Sequence, residues 1–320
     1  MKTKNLTNKG FTLVELLVAM TISLVVMGAI TSTFKSQQDS YIVQTQISSM
    51  QQNLRAAMYM LTRDIQMAGY YTNFDSDTYT MNWDDLDGDN ETIRSLIHAF
   101  DNIDDSNGGD GIKDKTDLVV IIKAAESRQL TATEQASGNT VPASLRQLPN
   151  VDNLVSSKCA MLVKHDLSTA DFFQVQDDSG DMTLTISLDN TYSQDDWIFR
   201  VDVIVYYVDD DLSHPCLLRK NLGSNETAQV VAENIDNLQL QYLLNDDSLV
   251  NDPDNPPTTS GSDVRAVKVF LLARTANIIR NYTDPNTYNI GNISIPPIPS
   301  NVRYRKKLLT SIIKTRNIGL

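Results

Sequence analysis

"KGFTLVELLVAM", residues 9–20, sets a glutamate inside a run that otherwise reads as a membrane-spanning helix. From Leu13 to Phe34 the residues are almost all apolar or small, and Glu15, Thr21, Ser23 and Thr31 are among the few polar exceptions. This run has about the 20 residues needed to cross a bilayer. An ionised carboxylate in hydrocarbon is costly, so Glu15 needs a reason. The fold turns on this reading, because a retained span and a removed signal peptide leave different proteins.

Lys2, Lys4 and Lys9 precede the run. By the positive-inside rule they predict a cytoplasmic N-terminus and a body on the other side of the membrane. A secretory signal peptide carries its small-residue cleavage site after the apolar region. Here the run instead continues into "TFKSQQDSYIVQTQ", residues 33–46, without such a site. A plain signal anchor fits the length but gives Glu15 no use.

The stretch "KGFTLVELLVAMTISLVVMGAI", residues 9–30, resembles the class III signal of type IV pilins and pseudopilins: a basic leader, Gly, Phe, an apolar helix, and Glu five residues past the scissile bond. The resemblance implies that a prepilin peptidase cuts between Gly10 and Phe11 and methylates the new Phe11 amine. It also implies that Glu15 attracts the Phe11 amine of an adjacent subunit and sets its register during assembly. The residue types suit these roles. Gly10 lets a protease approach the backbone closely, and Phe11 is an aromatic suited to the membrane interface. Cleavage falls before the apolar run, so the anchor is kept. The other account of Glu15 is an interfacial carboxylate tolerated near a helix N-terminus.

Beyond the apolar run, Ile47, Met50, Leu54, Met58, Leu61, Ile65 and Ala68 recur at steps of three and four. That spacing predicts one apolar helix face. Gly69 offers a left-handed C-cap. A helix continuous from Phe11 would be about 85 Å long at 1.5 Å per residue. "QQNLRAAMYMLTRDIQMAGYY", residues 51–71, resembles the PilW group of minor pilins and the J-type minor pseudopilins of type II secretion. Arg55, Arg63 and Asp64 have two readings: solvated helix surface, or a tie to the head.

Residues 75–117 are acidic and turn-rich around "IRSLIHAF". Their carboxylates raise a calcium reading, since hard cations take oxygen ligands. Asp85, Asp87 and Asp89 nevertheless lack the twelfth-position glutamate of an EF-hand, and a solvated loop is the alternative. Apart from calcium in these loops, no cofactor is expected. After Asp117, "DLVVIIKA", "CAMLVKH", "DFFQVQD", "MTLTISL" and "IFRVDVIVYYVDD" are β-branched or aromatic runs bounded by turn residues, which predicts strands. "VVAENIDNLQLQYLLND" reads as a short helical or turn segment leading into a strand, and "VRAVKVFLLART" as another strand. "NDDSLVNDPDNPPTTSGSD" and "NYTDPNTYNIGNISIPPIPSN" read as long surface loops.

"VVAENIDNLQLQY", "VRAVKVFLLART" and the terminal "RYRKKLLTSIIKTRN" also resemble the PilW group, in the same order. In the last of these, Arg303, Arg305, Lys306, Lys307, Lys314 and Arg316 make a basic strand on an acidic chain of net charge −13. It reads either as a dock for an acidic neighbour or as a solvated edge whose lysines discourage aggregation. The acidic balance argues against a direct nucleic-acid partner.

Cys159 and Cys216 are the two cysteines, and in an exported chain they allow one disulfide. His98, His165 and His214 are isolated, without zinc spacing. No Walker loop, G-x-S-x-G elbow or dinucleotide fingerprint is present, so no residue nominates itself for catalysis and no metal site is assigned.

The expected fold class is α+β: a long N-terminal helical spine with a C-terminal antiparallel β-sheet head, pilin-like. Residues 1–10 form the leader, 11–34 the transmembrane and assembly helix, 35–69 its amphipathic continuation and 70–320 the head. The resemblance implies a minor pilin of the bacterial inner membrane, single-pass with a periplasmic head, that later reaches the pilus or cell surface. Its implied partners are other minor and major pilins through the N-terminal helix, prepilin peptidase, and inner-membrane lipid before assembly. A J-type pseudopilin of type II secretion is one alternative. An anchored periplasmic hydrolase or binding module is another, of a different class.

Overall fold

The computed structural model describes residues 10–69, 82–83, 91–92, 97–100, 111–148, 154, 158–177, 179, 181–211, 213–224, 227–251, 264–297 and 303–316. One helix, α1, runs from Leu13 to Met67. The chain divides into two compact units, residues 1–49 and 50–320.

In the first unit the helix presents its apolar side chains outward. Leu13, Val14, Leu16, Leu17, Val18 and others through Phe34 are all exposed. In the second unit the helix is amphipathic, as its spacing predicts. Met50, Leu54, Ala57, Met58, Leu61 and Ile65 are buried, whereas Gln52, Arg55, Tyr59 and Arg63 are exposed. The helix stops where expected: Gly69 takes a φ of +72°, a region that costs glycine little. Its N–H donates to the Ile122 carbonyl at 3.0 Å, so the chain leaves the helix already bonded to the sheet.

The strands are β1 (Asn82–Trp83), β2 (Glu91–Thr92), β3 (Ile97–Phe100), β4 (Leu118–Gln129), β5 (Ala136–Val141), β6 (Cys159–Val163), β7 (Ala170–Asp177), β8 (Met182–Tyr192) and β9 (Trp197–Val208). They continue with β10 (Cys216–Asn221), β11 (Gln229–Glu233), β12 (Ile235–Leu244), β13 (Leu249–Val250), β14 (Val264–Arg274), β15 (Tyr288–Ile290), β16 (Ile293–Ile295) and β17 (Lys306–Lys314). Every pairing among them is antiparallel. The larger sheet runs β11-β10-β9-β6-β7-β8-β5, with β4 also on β9 and β3 on β4. The second runs β13-β12-β14-β17. With the spine, this is the α+β architecture expected from the sequence.

Uninterrupted apolar runs mark the middle of the head. Leu118–Ile122 of β4 and all of β6 are buried at every position, the pattern of strands covered on both faces. The segment 111–117 then stitches the two sheets together. Asp117 N–H donates to the Leu238 carbonyl at 2.9 Å, and the Asp117 carboxylate accepts from Leu240 N–H at 2.6 Å. A second core fills between β5, β6, β7 and β8 around Phe173, Met182, Leu184 and Tyr192.

Three sequence expectations fail. Leu249–Val250, read as part of a long surface loop, pairs with Leu243 and Tyr242 of β12 as strand β13, because the two apolar residues satisfy their backbone on the sheet edge. The stretch after Gln229 is no helix or turn: Gln229–Glu233 pairs with β10 as a strand, and Asn234 at a φ of +60° turns the chain into β12. The β-branched pair Val230–Val231 favours the extended form, and pairing with β10 satisfies its backbone. The segment 281–301 is not loop throughout, because Tyr288–Ile290 and Ile293–Ile295 form a hairpin through Gly291 at a φ of +59°. Its apolar side chains cover Phe270, Leu272 and Leu308. The Gly-Asn pair between alternating apolar residues was the available hairpin signal.

Candidate functional site

At the helix start, Gly10 and Phe11 are exposed, Phe11 at 84%. Thr12 then opens α1. Its Oγ1 accepts from Glu15 N–H at 3.3 Å, while the Glu15 Oε2 accepts from Thr12 N–H at 2.8 Å and from Thr12 Oγ1 at 2.9 Å. These reciprocal bonds make Thr12-x-x-Glu15 a capping box, which satisfies backbone donors that the first helical turn leaves open. Only one Glu15 oxygen is used in this way among the described residues. The spacing of threonine and glutamate was legible in the sequence, but the reading there did not assign Thr12 this part.

At the other end of the spine, Asp64 resolves an alternative that the sequence leaves open. It is 3% exposed. Its Oδ2 accepts from Tyr206 Oη at 2.7 Å and from Arg219 Nε at 2.9 Å, and its Oδ1 from Lys123 Nζ at 3.1 Å. Strands β9, β10 and β4 each contribute one donor. Burial raises the Asp64 pKa, but the Tyr206 hydroxyl and the Lys123 and Arg219 cations outweigh it and hold the carboxyl below its ordinary value. Desolvation and the Asp64 charge push the Tyr206 hydroxyl up, so it stays a donor. Arg55 and Arg63 instead face solvent, and neither forms an ion pair among the described residues. The tie to the head is therefore Asp64 alone of the three.

A second carboxylate, Asp236, joins the 111–117 segment to β17. Lys113 Nζ donates to its Oδ1 at 2.7 Å, and Lys306 Nζ to its Oδ2. Burial raises its pKa, yet the two lysines bring it down to about 2. Both carboxylates are neutralised inside the fold.

The sequence left a disulfide between Cys159 and Cys216 open, and in the structure both are free. Cys159 lies opposite Val201, and Cys216 carbonyl bonds the N–H of Asp209, so the two are about 26 Å apart along β9 at the usual strand rise. A disulfide needs Cα atoms within about 7 Å. The shared strand β9 holds them apart, which no spacing in the sequence could reveal. Asp85, Asp87 and Asp89, on which the calcium expectation rests, lie outside the described residues, as do Lys2, Lys4 and Lys9.

Two family models match the chain. Residues 6–31 match the one described as prokaryotic N-terminal methylation motif. Residues 205–317 match the one described as Type IV Pilus-assembly protein W. In these two stretches the chain is similar to type IV pilus-assembly protein W and to proteins with the prokaryotic N-terminal methylation motif. Both families concern pilus structure and assembly rather than catalysis. No curated protein and no solved structure gives a significant match. The apolar helix, long enough to cross a bilayer, and the prepilin signal indicate membrane anchoring.

Proposed function

We propose that the chain is a structural minor pilin, cut between Gly10 and Phe11 by prepilin peptidase, methylated at Phe11, and built into a type IV pilus as a priming or tip-complex subunit. The observation that carries this reading is the helix start: an exposed Gly10–Phe11 pair followed by a capped helix whose apolar run, residues 13–34, has Glu15 as its single carboxylate. Before assembly the exposed apolar face suits lipid, with the N-terminus in the cytoplasm and the head in the periplasm. In a filament the same face packs against neighbouring pilin helices.

Glu15 then acts twice. One oxygen caps its own helix, and the other is left to meet the Phe11 amine of the next subunit. In a low-dielectric helix bundle the two charges offset part of each other's desolvation. The long segments between strands suit a subunit at a filament end, since a shaft subunit must accommodate neighbours on all sides. The match of residues 205–317 favours a pilus over a type II secretion filament. Intact-mass analysis tests the reading: loss of residues 1–10 with gain of one methyl group is expected, and an uncleaved N-terminus rejects it. Co-purification of other minor pilins with the processed chain then tests the priming or tip role.

A further inference from the structure

The second sheet ends on β17, which pairs with β14 along its full length of nine residues without a register shift. Open edges of this kind invite another chain, and proteins usually blunt them by shortness, bulges or charge. The other ends follow that rule. β13 has two residues and β3 has four; β5 is broken by register shifts against β8, and β11 by one against β10. From Lys307 to Lys314, no backbone group bonds outside the β14 ladder among the described residues.

Charge is placed at the two ends of this edge and not in its middle. The centre, "LLTSII" at residues 308–313, carries none, and Thr310 and Ile312 are exposed, Ile312 at 59%. Lysines that served only to blunt the edge would sit where a strand has to pair. Lys306 is engaged by Asp236, and Arg305 lies over the Tyr282 ring. Arg303, Lys307, Lys314 and Arg316 are exposed and form no ion pair among the described residues. These free cations lie on a chain of net charge −13.

A second copy is a poor occupant. Antiparallel self-pairing centred on Thr310 sets Lys306 opposite Lys314 at both ends, and like charges directly across a ladder repel. An acidic strand meets the opposite situation. We infer that the free edge of β17 is a strand-addition site for an extended acidic segment of a different protein, whose backbone continues the sheet and whose carboxylates meet Lys307 and Lys314. This rests on sheet topology and charge, and does not depend on how the N-terminal helix assembles.

The test uses the full chain in detergent micelles and a synthetic nine-residue peptide of Val and Thr with Glu at positions 1 and 8, which an antiparallel partner of residues 306–314 sets opposite Lys314 and Lys307 on the two faces of the sheet. Binding is expected to slow amide exchange across Lys307–Lys314 by about tenfold or more, and to weaken as salt rises. Lys307→Glu with Lys314→Glu, both at exposed positions, is expected to weaken it by about tenfold or more with the melting temperature unchanged. Absence of protection overturns the inference. So does equal binding by the doubly substituted chain, by a peptide with Lys in place of Glu, or by one with two adjacent central prolines. Protection that grows with the concentration of the chain alone assigns the edge to a second copy and overturns it as well.

Discussion

The carboxylate of Asp64, near the end of the helical spine, accepts a hydrogen bond from Tyr206 Oη at 2.7 Å, although 142 residues separate them. Arg219 and Lys123 complete the cluster from two further strands. An ion pair this buried is weak evidence of net stability, because desolvation offsets much of the attraction. Its effect is on placement: an aspartate that can be satisfied at one position on the sheet fixes how the helix end lies on it.

Breaking that cluster from one side leaves two cations without their partner. Asp64→Ala is therefore expected to destabilise the head by about 3 kcal/mol, read from denaturant unfolding of the full chain in detergent. Tyr206→Phe removes one neutral donor and should cost about 1 kcal/mol. A loss for Asp64→Ala no larger than that for Tyr206→Phe would show that Lys123 and Arg219 find water instead.

Acid should loosen the head in a defined window. Asp236 ionises at about 2 in the folded chain against an ordinary 3.8, and Asp64 is likewise lowered. A depressed carboxyl stabilises above its unfolded pKa and loses that contribution as pH falls through the folded value. The melting temperature is thus expected to stay level from neutral pH to about 5 and to drop from about 4 down to about 2, with Asp236 contributing on the order of 2 kcal/mol. In Asp236→Asn the drop should be shallower; an unchanged slope would remove Asp236 from the account.

Two substitutions at Glu15 separate its two roles. A glutamine can still accept from Thr12 N–H but carries no charge, whereas alanine loses both the cap and the charge. Each variant is expected to be cut at Gly10 yet to be poorly incorporated into filaments, as measured by intact mass and by the sheared filament fraction. Normal incorporation of Glu15→Gln would leave the cap as sufficient and discard the pairing with a neighbouring Phe11 amine.

The cysteines should behave as two separate thiols. Non-reducing mass analysis is expected to show no bridge between Cys159 and Cys216. Burial pushes the Cys159 thiol up to about 12, so an alkylating agent should label Cys216 in the folded chain and reach Cys159 only after unfolding. Protection of both thiols until reduction would contradict the geometry.

The sequence by itself determined what contiguous residues encode. The apolar run from Leu13, the three-and-four spacing from Met50 to Ile65, the stop at Gly69 and the β-branched runs of β4, β9 and β14 all carry their own periodicity or turn chemistry. The prepilin-type motif around Gly10, Phe11 and Glu15 is legible for the same reason. Short elements were harder to read: β11 and the β15–β16 hairpin hold too few residues for a period, and pairing decides them. Only the tertiary structure decided that Asp64 is buried while Arg63 beside it is not, that Cys159 on β6 and Cys216 on β10 lie beside distant parts of β9, and that β17 ends its sheet with an open edge among the described residues. Each of these depends on which strands become neighbours, and strand order follows from burying all the apolar faces at once, which no local stretch of sequence encodes.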